Sequence, residues 1–186
     1  MKKQLLLLLI VVLGGTLSAQ EATKHSKVTL GYWGHFAIQP GVKVGYLTDL
    51  SSWNSQHDQL VQKSWFINPQ LGVYAWPQKH TNYVVNIEAG LMRRSQPMHK
   101  FSAFSFGLGY LTQSRITSVV VNLSDGEQDK VRENQAWLLT TANYSFGRSL
   151  GEKLGWYSKI SMGMQFGPIE SSSLVGFLEL GLTYGL

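Results

Sequence analysis

The sequence has no cysteine, little charge and only one long apolar run. Without cysteine there are no disulfides, thiolate metal sites, thiol nucleophiles or lipid-attachment thiols. Charged residues make up 15% of the 186 positions, against roughly 25% in an ordinary soluble domain. The apolar run, Leu5 to Leu13, falls short of the roughly 20 residues a spanning helix needs, which excludes a multi-helix membrane protein. What is plentiful is glycine, 19 residues, and aromatic side chains, 6 Trp, 8 Tyr and 8 Phe. With 44% hydrophobic residues, the chain also has too much apolar surface to remain disordered.

Lys2 and Lys3 precede the apolar run, Gly14 and Gly15 follow it, and Thr16-Leu17-Ser18-Ala19-Gln20 offers small side chains for a cut after Ala19. That is the layout of a secretory signal over 1–19. Removing it leaves 14 basic against 11 acidic residues, a net charge of about +3, which gives no footprint for nucleic acid. A periplasmic lead over 20–33 is expected to join the signal to the folded part, 34–186.

Past the lead, apolar and polar residues alternate with a period of two, the pattern of strands with two unlike faces. The alternation predicts eight strands, near 34–48, 63–76, 81–92, 100–112, 115–123, 136–147, 156–167 and 173–185. In the seventh, Ile160, Met162, Met164 and Phe166 oppose Lys159, Ser161, Gly163 and Gln165; in the eighth, Leu178, Leu180, Leu182 and Tyr184 oppose Glu179, Gly181 and Thr183. The fifth is the least regular, since Val119, Val120 and Val121 are consecutive. The polar faces are rich in Gly, Ser and Asn and poor in the Lys and Glu that solvate a soluble sheet. Short side chains suit the confined inside of a narrow barrel, so the apolar face is expected to meet lipid. Lipid forbids an open sheet edge, so the fold class is all-β, an eight-stranded antiparallel up-and-down transmembrane β-barrel.

With a periplasmic amino terminus, this strand set predicts outer connections at 49–62, 93–99, 124–135 and 168–172 and inner ones at 77–80, 113–114 and 148–155. Leu180, Leu182 and Ile160 are then expected in the apolar band, with Tyr83, Tyr110, Trp156 and Tyr184 at the inner interface.

In size and layout the chain resembles the small eight-stranded outer-membrane barrels of Gram-negative bacteria, the type of outer membrane protein X and the barrel part of outer membrane protein A. Its last residues, Glu179-Leu180-Gly181-Leu182-Thr183-Tyr184-Gly185-Leu186, resemble the assembly signal of that class, with Glu179, Gly181, Tyr184 and Leu186 at its key positions. The resemblance implies recognition by the barrel-assembly machinery, although the chain ends in Leu rather than Phe. The segment Gly34 to Tyr46 also resembles the opening strand of barrel proteins from Bacteroidota.

Four charges, Lys43, Glu88, Lys159 and Glu179, fall on the inward face. Ionised groups cut off from water must pair, so they are expected to form a lumen network that plugs the barrel. Arg93, Arg94 and Lys100 cluster in the second expected outer loop, where they would contact lipopolysaccharide phosphate through forked hydrogen bonds. Asp125, Glu127 and Asp129 offer oxygen ligands, but Lys130 and Arg132 follow at once and the spacing is not that of an EF-hand, so no metal is assigned. His57 and Asp58 near Ser51, Ser52 and Ser55, and His99 near Ser102, supply catalytic ingredients without a motif, and no catalytic residue or cofactor is assigned. The expected role is an integral outer-membrane barrel that is structural, adhesive or an accessory subunit of an outer-membrane complex, in contact with outer-membrane lipid and lipopolysaccharide. A lipid A-modifying enzyme and a narrow solute pore are the alternatives.

Overall fold

Alternating side chains build a closed ring of eight antiparallel strands in the computed structural model, which describes residues 26–35, 39–55, 60–76, 79–95, 98–121, 128–167 and 172–186. The strands are β1 (Ser26–His35), β2 (Gln39–Asn54), β3 (Val61–Trp76), β4 (His80–Ser95), β5 (Lys100–Val121), β6 (Gln128–Ser149), β7 (Leu154–Phe166) and β8 (Ser172–Gly185). Each pairs with its neighbours in sequence, and β1 closes the ring by pairing with both β2 and β8. The expected signal over 1–19 lies outside the described residues.

The count of eight agrees with the sequence reading, but two of the expected boundaries are corrected. Residues 26–33 are not a lead: they form most of β1, with Leu30 and Tyr32 facing out and Thr29, Gly31 and Trp33 facing in. The segment 34–46, read as an opening strand, spans the end of β1, a connection and the start of β2. Conversely, 100–112 and 115–123 are not separate strands. Thr112, Gln113 and Ser114 lie inside β5, paired with Tyr83, Asn82 and Thr81 on one side and with Ala136, Gln135 and Asn134 on the other. Their polarity marks a strand leaving the apolar band, not a turn.

Restoring β1 exchanges the ends for the early connections. Ser26, Leu186 and the β2–β3, β4–β5 and β6–β7 connections share one end; the β1–β2, β3–β4, β5–β6 and β7–β8 connections share the other. Segments 49–62 and 93–99 therefore lie at the end opposite the one expected relative to 124–135, and 77–80 is exchanged with them. Trp156 and Tyr184 stay near the Leu186 end, whereas Tyr83 and Tyr110 lie toward the opposite end. At that opposite end β4 pairs with β5 only as far as Arg115, and β7 meets β6 only from Leu138, while β5 and β6 pair with each other out to Val121 and Gln128. A two-stranded hairpin therefore projects beyond the ring.

The outer surface is apolar along every strand: Leu30, Val42, Leu71, Val85, Phe106, Leu138, Met162 and Leu180 are all exposed, Phe106 by 65% and Leu180 by 61%. In water such a belt would be an aggregation surface far larger than any ordinary patch; in a bilayer it is the solvated face. No helix among the described residues is long and apolar enough to cross a membrane, and the strands do the crossing.

The inward face is more apolar than its glycines and serines suggest. Trp33, Tyr74, Val84, Leu111, Leu139, Val175 and Phe177 form one buried cluster toward the projecting hairpin, with Trp33 stacked on Phe177 at a centroid distance of 4.9 Å. Leu47, Phe66, Met92 and Ala103 form a second toward the Leu186 end. Replacing Leu180 by Arg is expected to cost roughly 2–4 kcal/mol, the penalty of a charge at the lipid midplane of a barrel. Folding yield in phospholipid vesicles checks this, and an unchanged yield would mean that Leu180 does not face lipid.

Candidate functional site

Between the two apolar clusters lies an ionic layer built from four strands. Period two brings Lys43 on β2, Glu88 on β4, Lys159 on β7 and Glu179 on β8 to the inward face, and all four are at most 6% exposed. Lys159 and Glu179 are cross-strand partners, with Nζ to Oε2 at 3.1 Å. Across the lumen, the same ammonium donates to Glu88 Oε1 at 2.9 Å and Oε2 at 3.1 Å. Lys43 pairs with Glu179 from the opposite side, and its Nζ sits 5.1 Å from the centre of the Trp33 ring. Two cations and two anions thus form one neutral chain, Lys43–Glu179–Lys159–Glu88, which brings together all four residues singled out in the sequence.

Tyr157 completes the layer, and sequence reasoning missed it. Its hydroxyl donates to Glu179 Oε1, and its ring lies over the paired glycines Gly31 and Gly181. A Cβ at Gly181 would stand 2.5 Å from Tyr157 Cε1 and 2.5 Å from the Leu30 carbonyl; one at Gly31 would stand 2.7 Å from the Tyr157 hydroxyl. Glycine is required at both places for close approach. The signal was available, because Tyr157 shares its face with Lys159 two residues on. Within the closing segment, Glu179 and Gly181 therefore serve the lumen, whereas Tyr184 and Leu186 are outside, 51% and 72% exposed.

A second pair closes the lumen nearer Leu186. Arg94 holds Asp49 in a forked contact, 2.6 Å to Oδ2 and 2.9 Å to Oδ1, and donates to Ser64 Oγ at 3.1 Å. This takes Arg94 out of the expected clamp of Arg93, Arg94 and Lys100 on lipopolysaccharide. Adjacent residues of a strand point to opposite faces, so Arg94 turns inward to Asp49 while Arg93 stays exposed outside. The β4–β5 connection also lies at the Leu186 end, away from the projecting hairpin.

Among the described residues, the voids bordering the ionic layer are small. One of about 30 Å3 adjoins Asn68, Glu88, Tyr157 and Lys159, and one of about 10 Å3 adjoins Gln70, Asn86, Thr141 and Asn143. The amide oxygens of Asn68, Gln70 and Asn86 have no protein partner. These spaces fit about one or two water molecules each, not a hydrated ion.

The other expected candidates are scattered. His57 and Asp58 lie outside the described residues, as do Asp125 and Glu127. Ser51 and Ser52 are exposed on β2, and His99 sits in the β4–β5 turn with a left-handed φ of 52°, its carbonyl accepting from the Ser149 amide at 2.8 Å. The expected loop 124–135 is largely strand, with β6 beginning at Gln128. No group of three or more His, Asp or Glu among the described residues could hold a metal ion.

With this geometry established, the comparison of structures is informative about the fold. The outer membrane enzyme PagL superposes with a TM-score of 0.51 at 10% identity, over 88% of this chain and 99% of that one. The fold is that of the small eight-stranded outer-membrane β-barrels. The N-terminal β-barrel domain of Pseudomonas aeruginosa OprF (TM-score 0.45, 14% identity, 89% and 100% of the two chains) and Neisserial surface protein A (0.46, 7%, 88% and 96%) also match. No family model and no curated protein matches the sequence. Nothing in these comparisons supports the resemblance to Bacteroidota barrels.

The ionic chain makes a specific prediction. Glu179→Gln leaves Lys43 without a countercharge, whereas Lys159 keeps Glu88; breaking a buried pair from one side costs about 3–5 kcal/mol. The variant is expected to insert but unfold at lower temperature, as read by the heat-dependent gel shift of folded barrels. Adding Lys43→Met restores neutrality and should recover much of the loss. Equal heat stability of parent and Glu179→Gln would mean that lumen water solvates Lys43.

Proposed function

We propose that this protein is an integral outer-membrane barrel that does not conduct, and that it presents the β5–β6 hairpin outside the cell as a structural or adhesive element or as an accessory subunit of a membrane complex. The observation that carries this reading is the filled lumen: a neutral ionic layer between two apolar clusters, closed again by Arg94 and Asp49. Eight strands leave a bore just wide enough for side chains, and here they occupy it. A conducting path would need a continuous polar lining, which Trp33, Tyr74, Leu111, Leu139 and Phe177 interrupt. The same seal argues against catalysis in the lumen, and no catalytic role is assigned.

Barrels of this class enter the membrane from the periplasm, and an even strand count returns both ends of the ring to that side. Ser26 and Leu186 are therefore placed in the periplasm, with the projecting hairpin outside among lipopolysaccharide. In this reading the barrel-assembly machinery recognises the closing segment from Glu179 to Leu186 during biogenesis.

Purified protein in planar bilayers should give no current above that of the protein-free bilayer; a steady single-channel conductance would replace the plug by the pore. On intact cells, a protease site inserted at Lys79 or in the β5–β6 connection should be cut, and one at Ser55 should be protected. Cleavage at Ser55 alone would reverse the orientation.

A further inference from the structure

Four basic residues on neighbouring strands face outward at one level of the barrel. Lys63, Arg93, Lys100 and Arg148 share their faces, by period two, with Trp65, Leu91, Phe104 and Phe146, all exposed to lipid. Lys63 is the direct cross-strand partner of Arg93, and Lys100 of Arg148. Arg93 opposes Ser102, two residues from Lys100, so the charges form one stripe across β3, β4, β5 and β6.

Like charges directly opposite one another on a sheet repel, and two such pairs side by side are an unfavourable arrangement in isolation. None of the four makes an ion pair among the described residues, where the salt bridges join other groups. Asp49, on nearby β2, is held inside by Arg94. The stripe thus makes no ion pair within the described protein, at the edge of its lipid-facing belt. Trp65 lies two residues further into the belt than Lys63, and Trp156 is the direct cross-strand partner of Arg148, so aromatic rings accompany the stripe as they do at the headgroup level.

We propose that this stripe binds the phosphate groups of anionic glycerophospholipids in the periplasmic leaflet of the outer membrane. Arg93 and Arg148 offer forked donors to phosphate oxygens, and Lys63 and Lys100 add point charges. A phosphate between each opposed pair turns repulsion into two attractions. The leaflet follows from the orientation given under the proposed function and rests on it; the phosphate chemistry does not.

The test uses the purified, folded, full-length protein in neutral detergent, titrated with phosphatidylglycerol or phosphatidylcholine, with retained lipids counted by native mass spectrometry. The parent should retain phosphatidylglycerol selectively. Each charge removed should weaken retention about fivefold, the contribution of one basic residue near an anionic surface. The variant Lys63→Gln/Arg93→Gln/Lys100→Gln/Arg148→Gln should therefore lose the selectivity, while Lys79→Gln/Arg115→Gln at the other end should keep it. If the quadruple variant does not fold, as judged by the heat-dependent gel shift, Lys100→Gln/Arg148→Gln serves instead and should weaken retention about 25-fold. No selectivity in the parent, or undiminished selectivity in a folded stripe variant, overturns the proposal. Because the chain has no cysteine, Gly151→Cys in the open β6–β7 turn separately reports the side. Exclusion of a membrane-impermeant maleimide on intact cells supports the periplasmic leaflet. Labelling from outside overturns the orientation and assigns the phosphate to the outer leaflet, whatever the lipid titration gives.

Discussion

A bilayer interior offers no hydrogen bonds to a peptide group, so every backbone donor and acceptor within it must be satisfied by the chain itself. For a chain of strands the solution is a ring without edges, and here it depends on β1, whose ten residues pair with β2 on one side and, from Lys27 to His35, with β8 on the other. Without β1, the backbones of β2 and β8 would present open edges to lipid. Ring closure also fixes everything that follows, because eight strands set the bore and the bore sets which side chains can live inside.

Inside such a bore, volume and charge have to be balanced together. Gly31 and Gly181 yield the space that the Tyr157 ring takes, and the hydroxyl of that ring is aimed at Glu179. Glu179 in turn is shared between Lys43 and Lys159, so no charge in the layer depends on bulk water. A buried pair of this kind is weak evidence for net stability, since two charges lose hydration to form it. Its consequence is register. Sliding β8 by one residue would turn Glu179 into lipid and Leu180 into the lumen, stranding charges on both sides of the wall.

Much of this was legible in the sequence because the two faces of each strand differ in kind. Leu178, Leu180 and Leu182 against Glu179, Gly181 and Thr183 declare which side meets lipid, and the four lumen charges follow from the same alternation. What was misread has one cause: polarity along a strand reports its environment as well as its end. Gln113 and Ser114 read as a turn because they leave the apolar band, although the strand runs on to Val121. Residues 26–33 looked like a lead because Lys27, Thr29 and Gly31 thin out the apolar signal in a strand of only ten residues. The two misreadings cancel in the strand count but not in the connections, so the fold is read correctly while Tyr83 and Tyr110 are grouped at one interface with Trp156 and Tyr184, from which the strand register separates them.

The pair Arg93 and Arg94 shows how far single-residue parity decides chemistry in this fold. As neighbours in a loop they would act together on one ligand. On a strand, one step of the chain separates lumen from membrane, and identical guanidinium groups take opposite tasks. Arg94 neutralises Asp49 and closes the lumen near Leu186, while Arg93 is left outside beside Lys63 at the edge of the lipid-facing belt. The wall between them is one backbone thick. Ionic closure within and basic charge without therefore stand at nearly the same level, and the periodicity that divides them is the one that forms the barrel.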